Sequence, residues 1–243
     1  MVVSVVSSLS EPSAQYQLVA ELDDLFKEME WDTGVKVVVL GGNIGESFPE
    51  GWECTKTVSK DKVGPDGRLV NITEPIARMD RPVIAAMNGY VLGQSLELVL
   101  ACDIRIGSEE CRFGFPHVMD GLLPQDGGTQ RLPRLVGKGK ALEMILTGNF
   151  IDAQEAYRIG LLNKVVPAHQ VMDVAISLAR EMASKGPIAL RYAKEAIHKG
   201  MDMTLEQGLR LEADLYLLLH TTEDRTEGIK AFQERRSPKF KGE

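Results

Sequence analysis

Glu97, His117 and Asp126 are the side chains whose surroundings in the sequence could support chemistry. Glu97 sits in QSLELVLAC (94–102), a stretch that is apolar on nearly every side. A helix hydrophobic all round normally belongs in a core. A lone buried carboxylate there costs a large share of a domain's stability unless it is paired or hydrogen-bonded. The free N–H groups and dipole of its own first turn would offset part of that cost. They would hold a developing anion on a substrate equally well. Glu97 therefore reads either as a structurally satisfied carboxylate or as an acid–base group. His117 and Asp126 share the Gly- and Pro-punctuated run FGFPHVMDGLLPQDGG (113–128). Most lone histidines fill space or donate one hydrogen bond, and an aspartate in such a run is often a turn cap.

The elements around these residues follow an α/β rhythm. Apolar residues at 18, 19, 22, 25, 26 and 29 recur at helical spacing over 15–30, with acids on the outside. The β-branched run 35–40 suits a parallel strand buried on both faces. A long polar stretch follows it, to Gly67, and such a loop after a buried strand is more often functional than idle. A helix is expected over 72–79, a strand over 83–87, a Gly-bearing turn, the Glu97 helix over 94–102, and a strand over 104–106. Alternating helices and strands imply right-handed crossovers and an α/β sheet, with ligands at the carboxyl ends of strands. Helices are then expected over 129–135, 140–146 and 153–159, with a short strand at 165–166. The rest reads as helical, over 169–184, 187–199, 204–219 and 222–234. The division is an α/β core over 1–167 and a helical region over 168–243.

Composition narrows the function classes. A chain of 243 residues with 44% apolar and 26% charged content is ordinary for a globular protein. The net charge of −7 argues against a nucleic-acid binder. Cys54, Cys102 and Cys111 form no CxxC pair and no metal-ligand spacing, so free thiols and no metal are expected. The opening MVVSVVSSLSEP does not read as a signal peptide, no stretch has the length of a membrane span, and a cytoplasmic location is expected. Dinucleotide, NTP-phosphate and serine-hydrolase elbow motifs are missing from the sequence.

The run from PVIAAMNGYVLGQSLELVLACD through EMILTG (82–148), with DAQEAYRIGLLNKVVP (152–167) and EDRTEGIKAFQERRSPKFKGE (223–243), closely resembles the enoyl-CoA hydratase/isomerase (crotonase) superfamily. The resemblance covers essentially the whole chain from about residue 13. It implies a crotonase-like spiral of ββα units with a C-terminal helical region that packs against neighbouring subunits in trimers or hexamers. It implies an acyl-CoA substrate, with coenzyme A arriving as part of that substrate and no tightly bound cofactor. The thioester oxygen would accept main-chain N–H bonds at the positions of Trp52 and Gln94. Lys56, Lys239 and Lys241 are the basic residues assigned to the CoA phosphates. Hydratases of the family place one glutamate where Glu97 stands and a second where this chain has His117. The family's small residue in the PxxGG turn is here Asp126, and its Gly-rich run at the second donor is here Gly93-Gln94-Ser95.

Three functions follow from the resemblance and its departures. One is hydration of an enoyl-CoA, with Glu97 as base and His117 as acid or water-positioning group. Another is hydrolysis of a 1,3-dicarbonyl C–C bond or of the thioester, with Asp126 orienting His117 and His117 activating water. The third is a weakly active scaffold subunit that keeps the CoA pocket and the oligomer interface.

Overall fold

The structure is a computed structural model and describes residues 2–4, 12–31, 34–42 and 71–243. In chain order these form β1 (Val2–Ser4), α1 (Pro12–Trp31), β2 (Val38–Gly41), α2 (Glu74–Arg78), β3 (Val83–Met87), β4 (Tyr90–Leu92), α3 (Gln94–Leu100), β5 (Ile104–Ser108) and β6 (Arg112–Gly114). A 3-10 helix (Pro116–Asp120) leads to α4 (Gly128–Val136), α5 (Lys138–Thr147), β7 (Ile151–Asp152), α6 (Ala153–Arg158) and β8 (Lys164–Val166). After a second 3-10 turn (Ala168–Gln170), helices α7 (Val171–Ala183), α8 (Pro187–Gly200), α9 (Leu205–Leu219) and α10 (Glu223–Gln233) complete the chain.

Among the described residues, five strands form one parallel sheet in the order β1-β2-β3-β5-β8. A second sheet has the order β4-β6-β7, with β4 and β6 parallel and β6 and β7 antiparallel. Two adjacent strand pairs thus repeat: β3 and β5 are neighbours in the large sheet, while β4 and β6 are neighbours in the small one. Among the described residues, two successive turns of chain, β3-β4-α3 and β5-β6-α4, each give one strand to each sheet before a helix, as a ββα spiral requires. The short strands β4 and β6 were not expected from the sequence. Three residues beside glycines carry too little periodicity to separate a strand from a turn.

Both faces of the large sheet are buried, as a parallel sheet requires. Val38, Leu40, Val83, Ala85 and Met87 face a core shared with Leu22, Phe26 and Met29 of α1, with α2 and with α3. The alternate residues Val39, Ile84, Ala86 and Ile106 face α7 through Val171, Met172, Ala175 and Leu178. Helix α8 is tied to this core by Asp103. Its carboxylate accepts from Val83 N–H at 2.7 Å and from Lys194 Nζ at 2.8 Å, and His198 Nε2 lies 2.8 Å away. Lys194 Nζ also donates to the Arg81 carbonyl oxygen at 2.9 Å. No helix of the described residues is long and apolar enough to cross a membrane.

Candidate active site

Glu97 is the fourth residue of α3 and is completely buried. Gly93, at φ 56°, lets the chain leave β4 and enter this helix. The expected N–H donors of Glu97's own helix are not the ones that hold it. Its own N–H bonds the Gly93 carbonyl oxygen at 3.0 Å, and its side chain reaches across to the turn before α4. There Oε1 accepts from the main-chain N–H of Asp126 at 2.8 Å and of Gly128 at 2.7 Å. Gly128 is the first residue of α4, so the carboxylate caps the positive end of a different helix. Oε2 has no hydrogen-bond partner among the described residues. Burial pushes the Glu97 carboxyl up, the neighbouring Asp126 charge adds to this, and the N–H bonds only partly oppose it. The result is a value of about 7. A carboxyl so placed can both take and give a proton near neutrality.

Asp126 and Gln94 complete this cluster, and both are buried. The Gln94 amide donates from Nε2 to Asp126 Oδ2 at 3.0 Å, and Ile72 N–H donates to Oδ1 at 3.3 Å. Thus the two residues at which the sequence departs from small side chains meet in one hydrogen bond. The Asp126 side chain therefore crosses to α3 and to the segment before α2. The main-chain oxygen of Asp126 accepts from Thr73 Oγ1 at 2.9 Å and from Arg131 Nη1 at 2.8 Å.

His117, in the first turn of the 3-10 helix, is buried and packs against Phe115 with ring centroids 5.8 Å apart. Phe115 in turn lies against Gly128. A Cβ added at Gly128 would stand 2.9 Å from the Phe115 ring and 3.0 Å from Glu97 Oε1. The sequence thus places glycine where a side chain would push the ring and the carboxylate apart. In this series of neighbours, Phe115 and Gly128 lie between His117 and Glu97. Trp52 and Lys56 lie outside the described residues. Lys239 and Lys241 are in the exposed C-terminal tail, where their N–H groups bond Glu227 at 2.7 Å and Asp224 at 2.7 Å. A cavity of about 330 Å³ between the C-terminal helices and that tail, lined by Tyr216, His220, Arg225 and Phe240 among others, contains none of the residues around Glu97.

Sequence reasoning missed Ile72, Thr73, Gly128 and Arg131 as parts of this site. The available signal was the Asp126-Gly127-Gly128 run directly before a helix. Gly127 takes φ 105°, and Gly128 permits the close approach just described. Among the described residues, no group of three His, Cys, Asp or Glu side chains could hold a metal.

The two sheets and the helices between them define a protein of the crotonase fold, in which Glu97 is a buried carboxyl and the candidate acid–base group. The chain belongs to the enoyl-CoA hydratase/isomerase family, whose model matches residues 8–243. It is 40% identical to the 2,3-dehydroadipyl-CoA hydratase of Escherichia coli, over 97% of this chain and 94% of that one. It is 39% identical to the short-chain-enoyl-CoA hydratase of Clostridium acetobutylicum, over 89% and 84%. The crystal structure of an enoyl-CoA hydratase from Bacillus anthracis superposes with a TM-score of 0.84 at 39% identity, covering 94% of this chain and 90% of that one.

Proposed function

We propose that this protein hydrates the double bond of an enoyl-CoA thioester. The observation that carries this reading is the Glu97 carboxyl: one oxygen is fixed by two N–H donors, and the other is not hydrogen-bonded among the described residues. Glu97 takes a proton from water as the water oxygen attacks the β-carbon. The electron pair moves onto the thioester oxygen, held by the main-chain N–H groups of Gln94 and Trp52. Return of that pair lets the α-carbon accept a proton, with His117 as the acid or as the group that positions the water. The hydratase names of relatives at about 40% identity support this assignment. Lys56, Lys239 and Lys241 belong to the same reading as the contacts for the CoA phosphates.

The reading also assigns residues 168–243 to trimer formation, alone or as a pair of trimers, and the enzyme to the cytoplasm. Exposed Leu205, Leu209 and Leu217 on α9 and Phe232 on α10 support an apolar partner surface there. Parallel assays test the chemistry. Loss of the conjugated thioester absorbance of crotonyl-CoA reports hydration, and free-thiol release together with 1,3-diketone cleavage reports hydrolysis. Hydration without thiol release is expected, with kcat reduced at least ~10²-fold in Glu97→Gln. Thiol release or diketone cleavage without hydration would transfer the chemistry to His117 and Asp126.

A further inference from the structure

We propose that Gln94 and Asp126 form a positioning pair for Glu97, in which the bond from the Gln94 amide to the Asp126 carboxylate fixes the main chain at residue 126. The N–H of that residue holds Glu97 Oε1 and so presents Oε2 to the reacting water. The inference rests on the reading of Glu97 as the acid–base group.

Four polar atoms of Asp126 are engaged, by α3, by the segment before α2 and by α4. Oδ2 accepts from Gln94 of α3, Oδ1 from Ile72 before α2, and the carbonyl oxygen from Thr73 and from Arg131 of α4. The N–H donates to Glu97. Gln94 and Glu97 are three residues apart on α3 and therefore share a helix face. Side chain 94 reaches residue 126 through its carboxylate, while side chain 97 reaches the same residue through its main chain. The three residues close a ring: α3, Glu97, the Asp126 backbone, the Asp126 side chain, Gln94 and back to α3. Such a ring leaves Glu97 few alternative orientations, and a displacement of about 1 Å at a reacting group costs about 10²-fold in rate. A turn-capping aspartate would bond its own backbone two residues on. Asp126 instead bonds side chains and N–H groups 32 and 54 residues away in sequence. The same geometry sets the Asp126 charge beside Glu97, in the direction that favours the protonated carboxyl.

The test uses the full-length protein and three variants: Asp126→Asn, Gln94→Met and the double. The Glu97 carboxyl is titrated directly by carbon-13 NMR, with Glu97→Gln identifying its signal. Steady-state hydration of crotonyl-CoA is measured across pH. Asp126→Asn keeps the shape and removes the charge. It should lower the pH at which Glu97 titrates from about 7 and move the matching limb of the kcat profile with it. Gln94→Met should lower kcat about 10- to 10²-fold with little change in KM. The double variant should be no worse than the poorer single, because both act on one ring. A Glu97 titration unmoved in Gln94→Met, where loosening of the residue-126 N–H should raise it, overturns the pair, as do multiplying effects in the double variant. If Gln94→Met fails to fold, Gln94→Asn, whose amide is too short to span the bond, takes its place. The NMR titration needs no turnover. Glu97 moving as expected in a protein that hydrates nothing would sink the hydratase reading and leave the pair standing. An unmoved Glu97 in a protein whose hydration depends on Glu97 would do the reverse.

Discussion

Glu97 combines two demands that conflict. Its site desolvates the carboxylate and sets it beside Asp126, so ionisation is held back to about pH 7 against 4.5 for the free side chain. Between those values the folded protein keeps a proton that the unfolded chain has released. Stability therefore falls as pH rises across this window and is level above it. Replacing Glu97 by Gln removes this dependence. The gain of Glu97→Gln over the parent protein in urea unfolding should grow from pH 4.5 to pH 7 by an amount on the order of 3 kcal/mol, and then stay constant. An equal difference at every pH would mean that Glu97 ionises normally in the folded state. Burial of this carboxyl thus carries a stability cost local to one residue, a pattern that fits the proposed acid–base role. His117 carries the other residue-scale prediction. On the hydratase reading, His117→Glu places a carboxyl at the proposed second acid–base position and should keep or raise hydration of a short enoyl-CoA. Loss of all turnover would show that water is activated by the imidazole itself.

At the scale of elements, the site depends on α3 and the turn before α4 being held at one distance. Burial of α3 follows from its sequence, since Leu96, Leu98, Val99 and Leu100 are apolar and Gln94 and Glu97 are engaged in the cluster. The turn is held differently, by glycine conformation and by bonds to Ile72, Thr73 and Arg131. The attachment of α8 is more exposed to perturbation. One of its ties is the Asp103 carboxylate, whose bonds to His198, Lys194 and Val83 outweigh its burial and hold it below the usual carboxylate range. A group lowered on folding stabilises above its unfolded value of 3.8 and loses that contribution as pH falls through its folded value. Asp103→Asn should therefore cost about 2 kcal/mol at pH 7 by urea unfolding, the scale of a charge-assisted hydrogen bond. The deficit should close in acid below the ordinary carboxylate range. A deficit that persists there would assign the loss to packing and not to charge.

For the whole molecule, the C-terminal helices leave several large apolar side chains exposed in one chain. Leu205 is 80% exposed, Leu217 64% and Phe232 85%. Isolated exposed apolar residues are ordinary, and a contact surface needs them to be contiguous, so the proposed trimer is tested directly. Light scattering should give three or six times the chain mass, and Leu217→Glu with Phe232→Asp should reduce it. A monomeric parent protein would remove residues 168–243 from any role in trimer formation.

Much of this architecture was legible in the sequence because periodicity reports burial. The strand over 83–87 is observed with those same bounds, and the later helices differ from expectation by a few residues at their ends. Helix α1 starts at Pro12 instead of residue 15, since proline is accommodated in a first helical turn. Family-specific runs of residues carried the crotonase fold, and the apolar surroundings of Glu97 singled it out. What the sequence alone could not determine was which donors satisfy Glu97. Those donors are main-chain N–H groups about 30 residues further on, and every residue has such a group, so no side-chain pattern marks them. Nor could it show that Gln94 and Asp126 touch. A hydrogen bond between residues on a helix and a distant turn has no period in the chain, and only the packing of α3 against α4 brings the two together.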